Sequence, residues 1–95
     1  MSLVFQWDPK KAAANVRKHG VSFPEAMTSF QDPLARIHDD PGHSEGERRE
    51  ILVGHDASAR LLVVAFTARG LAIRIISARP ATRRERKDYE EAIHP

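Results

Sequence analysis

The segment Arg74-Ile-Ile-Ser-Ala-Arg-Pro-Ala-Thr-Arg-Arg-Glu-Arg-Lys87 carries the strongest signal for both fold and chemistry. Its first half is rich in β-branched residues, which favours a strand with an arginine at each end. After Pro80, Thr82 and Glu85 have the spacing of a capping box, which predicts a helix whose residues 83–87 include four cations. Arginine stays protonated near neutral pH and can bind a phosphate through two parallel hydrogen bonds. The segment therefore predicts a strand–helix unit that binds phosphate, and nucleic acid is the expected ligand.

Strand patterns precede this segment. Residues 49–54, 60–67 and 71–78 are rich in apolar and β-branched side chains, and each run is bounded by turn residues. The connections over residues 56–60 and 68–70 are short enough for antiparallel hairpins. These three runs therefore predict an antiparallel meander.

The N-terminal half contains two helix signals. Asp8-Pro9 provides an N-cap and a proline at the first helical position, and Gly20 suits the C-terminal cap of that helix. Ser22 and Glu25 form a second capping box, followed by an apolar face that extends to Phe30. A short strand over residues 4–7 precedes the helices, and a short strand over 34–37 and a loop over 38–47 follow them.

The predicted fold class is therefore α+β: a short N-terminal strand, two helices, an antiparallel meander of three or four strands and a C-terminal helix. The length of 95 residues predicts a single domain over residues 1–95. The chain has no cysteine, no apolar run long enough to cross a membrane and no signal-peptide pattern, so we expect a cytoplasmic protein.

Charge is distributed unevenly along the chain. Residues 1–30 carry four basic and two acidic groups (net +2), residues 31–58 three and seven (net −4), and residues 59–95 eight and four (net +4). Such segregation is compatible with a polyanion bound on one face, and equally with a solvated surface of mixed charge.

No cofactor or metal site is predicted. The histidines, together with Asp39 and Asp40, lack ligand spacings such as His-x-x-x-His, and the chain has no phosphate-binding glycine loop. RNA cleavage requires neither a metal nor a cofactor, because the 2′-hydroxyl can attack the adjacent phosphorus. A base and an acid transfer the protons, and fixed cations stabilise the phosphoryl group. His19, Glu50 and Glu85 are candidates for proton transfer, although His19 also suits a helix C-terminus and Glu85 a capping box.

Arg74 and Arg79 are the first candidates for binding the scissile phosphate, with ion pairing to a carboxylate as the alternative for each. They are five residues apart in one strand and nominally point to opposite faces, so a β-bulge or an early strand end is needed to unite them. Ser77 shares the face of Arg79 and could donate to a phosphate or stabilise the sheet. Lys18 and His19 could line the same cleft as these arginines, or simply cap the first helix. The predicted RNA-binding residues are Lys10, Lys18, Arg60, Arg69, Arg83 and Arg86.

Several blocks of the sequence resemble the BrnT-type toxins. They are Phe5-x-Trp7-Asp8-x-x-Lys11, Asn15-x-x-Lys18-His19-Gly20-Val21-x-Phe23-x-Glu25-Ala26, His43-Ser44-x-x-Glu47-x-Arg49, Arg74-Ile-Ile-Ser-Ala-Arg79 and Ala81-Thr82-x-x-Glu85-Arg86-x-x-Tyr89-Glu90. The blocks cover nearly the whole chain in the expected order.

This resemblance implies a RelE-like fold and the toxin half of a type II toxin–antitoxin pair, that is, a ribonuclease that halts translation. It also implies a BrnA-type ribbon-helix-helix antitoxin, a 2:2 heterotetramer and contact with operator DNA only through the antitoxin. The alternative is a non-catalytic module that binds nucleic acid or serves as corepressor of an antitoxin.

Overall fold

The computed structural model describes residues 2–40 and 48–93 of the chain. Its elements are β1 (Val4–Gln6), α1 (Pro9–His19), α2 (Phe23–Thr28), a 3₁₀ turn (Ser29–Gln31), β2 (Arg36–Asp39), β3 (Arg49–His55), β4 (Leu61–Arg69), β5 (Ala72–Pro80) and α3 (Arg83–Ile93). The predicted α+β class and the order of its elements are confirmed.

The strands form one five-stranded sheet with the order β1-β5-β4-β3-β2. Strands β3 to β5 form the antiparallel meander that the short connections predicted, and β2 pairs antiparallel with β3 at the edge of the sheet. Strand β1 extends this sheet by pairing parallel to β5, with Val4 opposite Ala72. A parallel pair needs a long crossover, so this contact between the two ends of the chain was not visible in local patterns.

Several element boundaries differ from the prediction: β2 extends through Asp39 into the predicted loop, and β3, β4 and β5 end at His55, Arg69 and Pro80 rather than at 54, 67 and 78. Two of the differences have a local cause. The second strand begins at Arg36 rather than residue 34, because a side-chain oxygen of Asp32 accepts a hydrogen bond from the Leu34 N–H (2.9 Å) and holds a turn there. The second helix leaves α geometry after Thr28. The hydroxyls of Thr28 and Ser29 donate to the carbonyls of Glu25 and Ala26, and the chain then tightens into the 3₁₀ turn.

Helices α1 and α2 cover one face of the sheet and form the larger core. Phe23 and Ala26 are fully buried against the sheet, and the Trp7 ring packs edge-on against Phe23 with centroids 5.9 Å apart. The sheet supplies this core with Leu52, Leu62, Val64, Phe66, Ile73, Ile75 and Ala78. Trp7 is thus a core side chain.

A buried amide fixes α1 on β5. The Asn15 side chain donates to the carbonyls of Ala78 (2.7 Å) and Val21 (2.8 Å), and its oxygen accepts from the Ala78 N–H (3.1 Å). All three bonds lie in the interior, where an unsatisfied amide is costly. They define the side of the sheet on which α1 lies.

Helix α3 packs on the opposite face and forms a smaller core. Tyr89 is its buried side chain and contacts Val53, Leu61 and Val63, while Ile93 packs at the margin. This helix covers only part of its face. The uncovered part carries the charged residues described next.

Candidate active site

The sheet face opposite α1 and α2 is basic, and we call it the arginine face. Residues directly opposite each other on neighbouring strands project to the same side of a sheet, so the register assigns each side chain to a face. In the described part of the chain the arginine face carries Arg36, Arg49, Arg69, Arg74 and Arg79. Pairing of the strands therefore places cations that are far apart in sequence on one face of the sheet.

Four polar residues form a row across the uncovered part of this face. Arg49 lies opposite Thr67, Thr67 opposite Arg74, and Arg74 beside Gln6 of β1. With neighbouring strands about 4.8 Å apart, the two arginines are attached about 10 Å from each other on either side of the threonine. We call Arg49, Thr67, Arg74 and Gln6 the polar row.

The polar row borders a surface depression of about 320 Å³. Its lining residues are Gln6, Thr67, Arg69, Ala72 and Arg74. Guanidinium, hydroxyl and amide groups are the donors that proteins use to bind phosphate oxygens. The depression is therefore a candidate phosphate site.

A β-bulge places Arg74, Ser77 and Arg79 on the same face. Arg74 lies opposite Thr67, Ser77 opposite Ala65 and Arg79 opposite Val63, but Ile75 pairs with Phe66, so Ile76 has no partner of its own. Because of this extra residue, Ser77 projects to the same face as Arg74, although the two are an odd number of residues apart. The register thus shows that Arg74 and Arg79 share one face, which strand periodicity had left open.

Arg79 is bound to Glu85 at the start of α3. Its two terminal nitrogens donate to the two carboxylate oxygens at 2.7 and 2.8 Å. The side-chain hydrogen bond from Arg79 is the largest cause that lowers the Glu85 pKa to about 2. Glu85 also accepts from the Thr82 N–H (2.8 Å), and its own N–H donates to the Thr82 hydroxyl (3.1 Å), which completes the capping box.

This geometry changes the interpretation of Glu85. A carboxyl group with a pKa of about 2 is ionised at neutral pH, so it has no proton to donate, and it is too weak a base to take one efficiently. A structural role is therefore favoured over proton transfer. Arg79 keeps 39% of its side chain exposed, so it can still contact a ligand from the open side of the ion pair.

The structure separates three predicted residues from the arginine face. Lys10, Lys18 and His19 lie on α1, which packs against the other face of the sheet. The expectation that Lys18 and His19 line one cleft with Arg74 is therefore wrong for this arrangement. Sequence could not exclude it, because the side on which a helix packs depends on contacts such as those of Asn15.

Arg60 has a structural environment as well. It contacts carboxylates of Glu25 (3.0 Å) and Asp56 (3.2 Å) and donates to the Gly20 carbonyl (3.3 Å). It ties the loop after α1 to the start of β4. These partners make it a poor candidate for RNA binding.

The remaining predicted residues stay accessible. Arg69 is exposed at the depression, and Arg83 and Arg86 are exposed in the first turns of α3. Ser77 is half-buried on the arginine face between Arg74 and Arg79. These placements are compatible with RNA binding, which stays a prediction for each of them.

Sequence reasoning missed Arg49, Thr67 and Gln6 as site residues. Each lies on a different strand, and only the pairing register brings them beside Arg74. A correct meander with its register would have found Arg49 and Thr67. Gln6 depends on the parallel β1–β5 pair and had no local signal.

A second polar cluster joins Asp32, His55 and Tyr89. A carboxylate oxygen of Asp32 accepts from the His55 N–H (2.7 Å) and the Tyr89 hydroxyl (3.1 Å) and lies 3.3 Å from the His55 ring Nδ1. Burial acts to raise the pKa of Asp32, but these hydrogen bonds outweigh it and the pKa is lowered. Burial, with the bond to Asp32, raises the pKa of Tyr89. The cluster fastens α3 to the sheet.

Two features are absent from the part of the chain that the structure describes. Across residues 2–40 and 48–93, no three His, Asp or Glu side chains are placed to hold a metal ion. No described helix has the length and apolar character needed to span a bilayer. The block His43-Ser44-x-x-Glu47 lies outside the described residues.

The comparisons with known proteins agree with this architecture. Residues 7–85 match the family model for the ribonuclease toxin BrnT of type II toxin–antitoxin systems. The fold is similar to the crystal structure of the Brucella abortus ribonuclease toxin BrnT, with a TM-score of 0.62 and 23% identity over 87% of this chain and 99% of that chain. A comparison with curated proteins gives no significant match. Because the family model spans most of its length, the chain belongs to the BrnT family of type II ribonuclease toxins.

Proposed function

We propose that this BrnT-family toxin is an endoribonuclease that cleaves RNA without a metal ion and thereby inhibits translation. Family membership supports the ribonuclease and toxin roles. The observation that carries the proposed site is the polar row, which places Arg49 and Arg74 on either side of Thr67 beside an open depression. Arg79 and Ser77 extend the same face.

The proposed reaction is an internal transesterification. The 2′-oxygen of one nucleotide attacks the adjacent phosphorus, the bond from phosphorus to the 5′-oxygen breaks, and the products are a 2′,3′-cyclic phosphate and a 5′-hydroxyl. A base takes the proton of the 2′-hydroxyl, and an acid gives one to the leaving oxygen. Arg49 and Arg74 stabilise the charge on the crowded phosphoryl group, as fixed cations do in phosphoryl transfer.

His38 is the proposed proton-transfer residue in place of His19 and Glu85. It is exposed on the arginine face, opposite Ile51, which makes it the diagonal neighbour of Arg49 on the next strand. Such diagonal positions are about 7–8 Å apart, within reach of a nucleotide bound at the polar row. Histidine is also the side chain whose charge changes most readily near neutral pH.

The experiment is RNA cleavage by purified protein in excess EDTA. Wild-type protein is expected to leave 5′-hydroxyl ends, and Arg74→Ala to lower the rate about a hundredfold because one charge-stabilising group is removed. Arg84→Ala is the matched control, since Arg84 is exposed on α3 away from the polar row, and it is expected to keep the wild-type rate.

Two outcomes would contradict this proposal. One is cleavage that stops when EDTA is added, and the other is full activity of folded Arg74→Ala. RNA that is bound but intact after long incubation would favour the non-catalytic module instead.

The partner is proposed from family membership. Type II toxins act with an antitoxin, and we infer a BrnA-type ribbon-helix-helix protein, a 2:2 assembly, contact with operator DNA through that antitoxin alone, and action in the cytoplasm.

A further inference from the structure

Helix α1 carries an exposed basic stripe on its outer side. It contains no acidic residue, and its cations Lys10, Lys11, Arg17 and Lys18 are all exposed. At 100° per residue these four positions fall within about a third of the helix circumference, over about 12 Å of its length. We call them the α1 stripe.

The cations at the two ends of the α1 stripe differ in their effect on the helix. Arg17 and Lys18 lie in the last turn, where the helix dipole favours cations. Lys10 and Lys11 lie in the first turn, where the dipole disfavours cations and where the N-cap Asp8, whose carboxylate accepts from the Lys10 N–H (2.8 Å), is the acidic group that offsets them.

Helix α3 is different, because Glu85 lies in its first turn and Lys87 approaches Glu91 at 3.9 Å. Within the described residues, none of the four α1 cations has a carboxylate partner. An exposed row of cations without carboxylate partners leaves a positive surface potential that attracts an anionic ligand.

The α1 stripe is also separate from the arginine face. Asn15 points inward from α1 to β5, so the stripe faces solvent on the other side of the sheet. Between the two surfaces lies β1, the edge strand that carries Gln6 of the polar row. A ligand that leaves the polar row over this edge meets the side of the molecule on which α1 lies.

We propose that the α1 stripe is a second RNA-binding surface, which contacts backbone phosphates independently of base sequence. The choice of RNA as ligand rests on the proposed function. The substrate is then an RNA strand long enough to cross the β1 edge and touch both surfaces. The longest dimension of the molecule is 36 Å, so one RNA strand of modest length can reach both surfaces.

The test compares two charge-matched double variants in binding to a long 2′-O-methyl RNA, which cannot be cleaved because its 2′-hydroxyls are blocked. Lys11→Gln with Arg17→Gln removes two cations from the α1 stripe, and Arg84→Gln with Lys87→Gln removes two exposed cations from α3. For the α1 double variant, the plot of log affinity against log salt concentration should become less steep by about 1.4. Each neutralised phosphate of a single strand contributes about 0.7 to this slope, and two cations are removed. The α3 pair should leave the slope close to wild type.

Equal changes in the salt-dependence slope of both double variants would mean that only net charge matters. An unchanged slope in the α1 double variant would mean that no phosphate is bound at the stripe. Either result overturns the proposal. An α1 pair that binds RNA normally but has a weaker affinity for the antitoxin would assign the stripe to the protein partner instead. Failure of the proposed function is distinguishable, because it appears in the cleavage assay of wild type and Arg74→Ala rather than in the salt slope.

Discussion

At the scale of single residues, the carboxylate of Glu85 does two things at once. It caps α3 through the Thr82 N–H and binds both terminal nitrogens of Arg79. Charge-assisted fork geometry of this kind is stronger than a neutral hydrogen bond. Glu85 therefore links the end of β5 to the start of α3.

This link should make stability depend on pH. The Glu85 pKa is lowered from 4.5 to about 2, so its contribution is fully present above pH 4.5 and is lost as the pH falls through about 2. The shift corresponds to at most about 3 kcal/mol, and solvent screening of these half-exposed side chains reduces this to about 1–2 kcal/mol. Glu85→Gln should lower the unfolding free energy by that amount at pH 7, measured by urea denaturation.

The gap between wild type and Glu85→Gln should close as the pH approaches 2. Glu91→Gln is the control, because Glu91 is exposed and only loosely paired, and it should change stability little. A gap that stays constant down to pH 2 would show that the Arg79–Glu85 pair is not the cause.

At the scale of elements, α3 is attached to the sheet at two polar points on one side of the helix. Glu85 binds Arg79, and one turn later the Tyr89 hydroxyl donates to Asp32. Between these points the Tyr89 ring packs on Val53 and Val63. Packing and hydrogen bonding at Tyr89 are therefore separable by mutation.

Two substitutions should separate these contributions. Tyr89→Phe removes only the hydroxyl donor and should lower the unfolding free energy by about 1 kcal/mol. Tyr89→Ala also removes the buried ring and should cost about 3 kcal/mol or more. Thermal unfolding of both variants is the measurement, and equal losses would contradict a packing role for the ring.

The bulge at Ile76 is the element-scale feature on which the candidate site depends. Without it, Arg74 and Arg79 would project to opposite faces, as strand periodicity alone predicts. The alternation of β5 does not reveal the extra residue, because Ile75 and Ile76 are equally suited to a core. Only the pairing of Ile75 with Phe66 and Ser77 with Ala65 locates it.

At the scale of the whole molecule, the arginine face, the α1 stripe and membership of the toxin family together predict that the protein is toxic to cells. Expression of the wild-type chain in bacteria should arrest growth if the proposed RNA cleavage stops translation, and co-expression of the cognate antitoxin should restore growth. Arg74→Ala should be tolerated at the same protein level. Light scattering of the purified complex should give the mass of a 2:2 assembly.

Normal growth of cells that contain soluble wild-type protein would contradict the toxin function. A complex of different mass would revise the stoichiometry alone. Arg84→Ala serves again as the control and should arrest growth as wild type does.

The sequence by itself determined the local structure of this protein. The two capping boxes and the Asp8-Pro9 helix start all form as predicted, since each depends on contacts within a few residues. The meander followed from short connections between strand patterns. The family resemblance, which rests on blocks in sequence order, was confirmed by the family model.

The tertiary structure decided which of these residues meet. The strand register placed Arg49 and Arg74 on either side of Thr67, and the parallel β1–β5 pair added Gln6. The packing of α1 placed Lys18 and His19 on the other side of the sheet. Each outcome depends on contacts between distant parts of the chain, where a shift of one residue reverses every side chain of a strand. That sensitivity is why residue types pointed to phosphate chemistry while the geometry of the site came only from the fold.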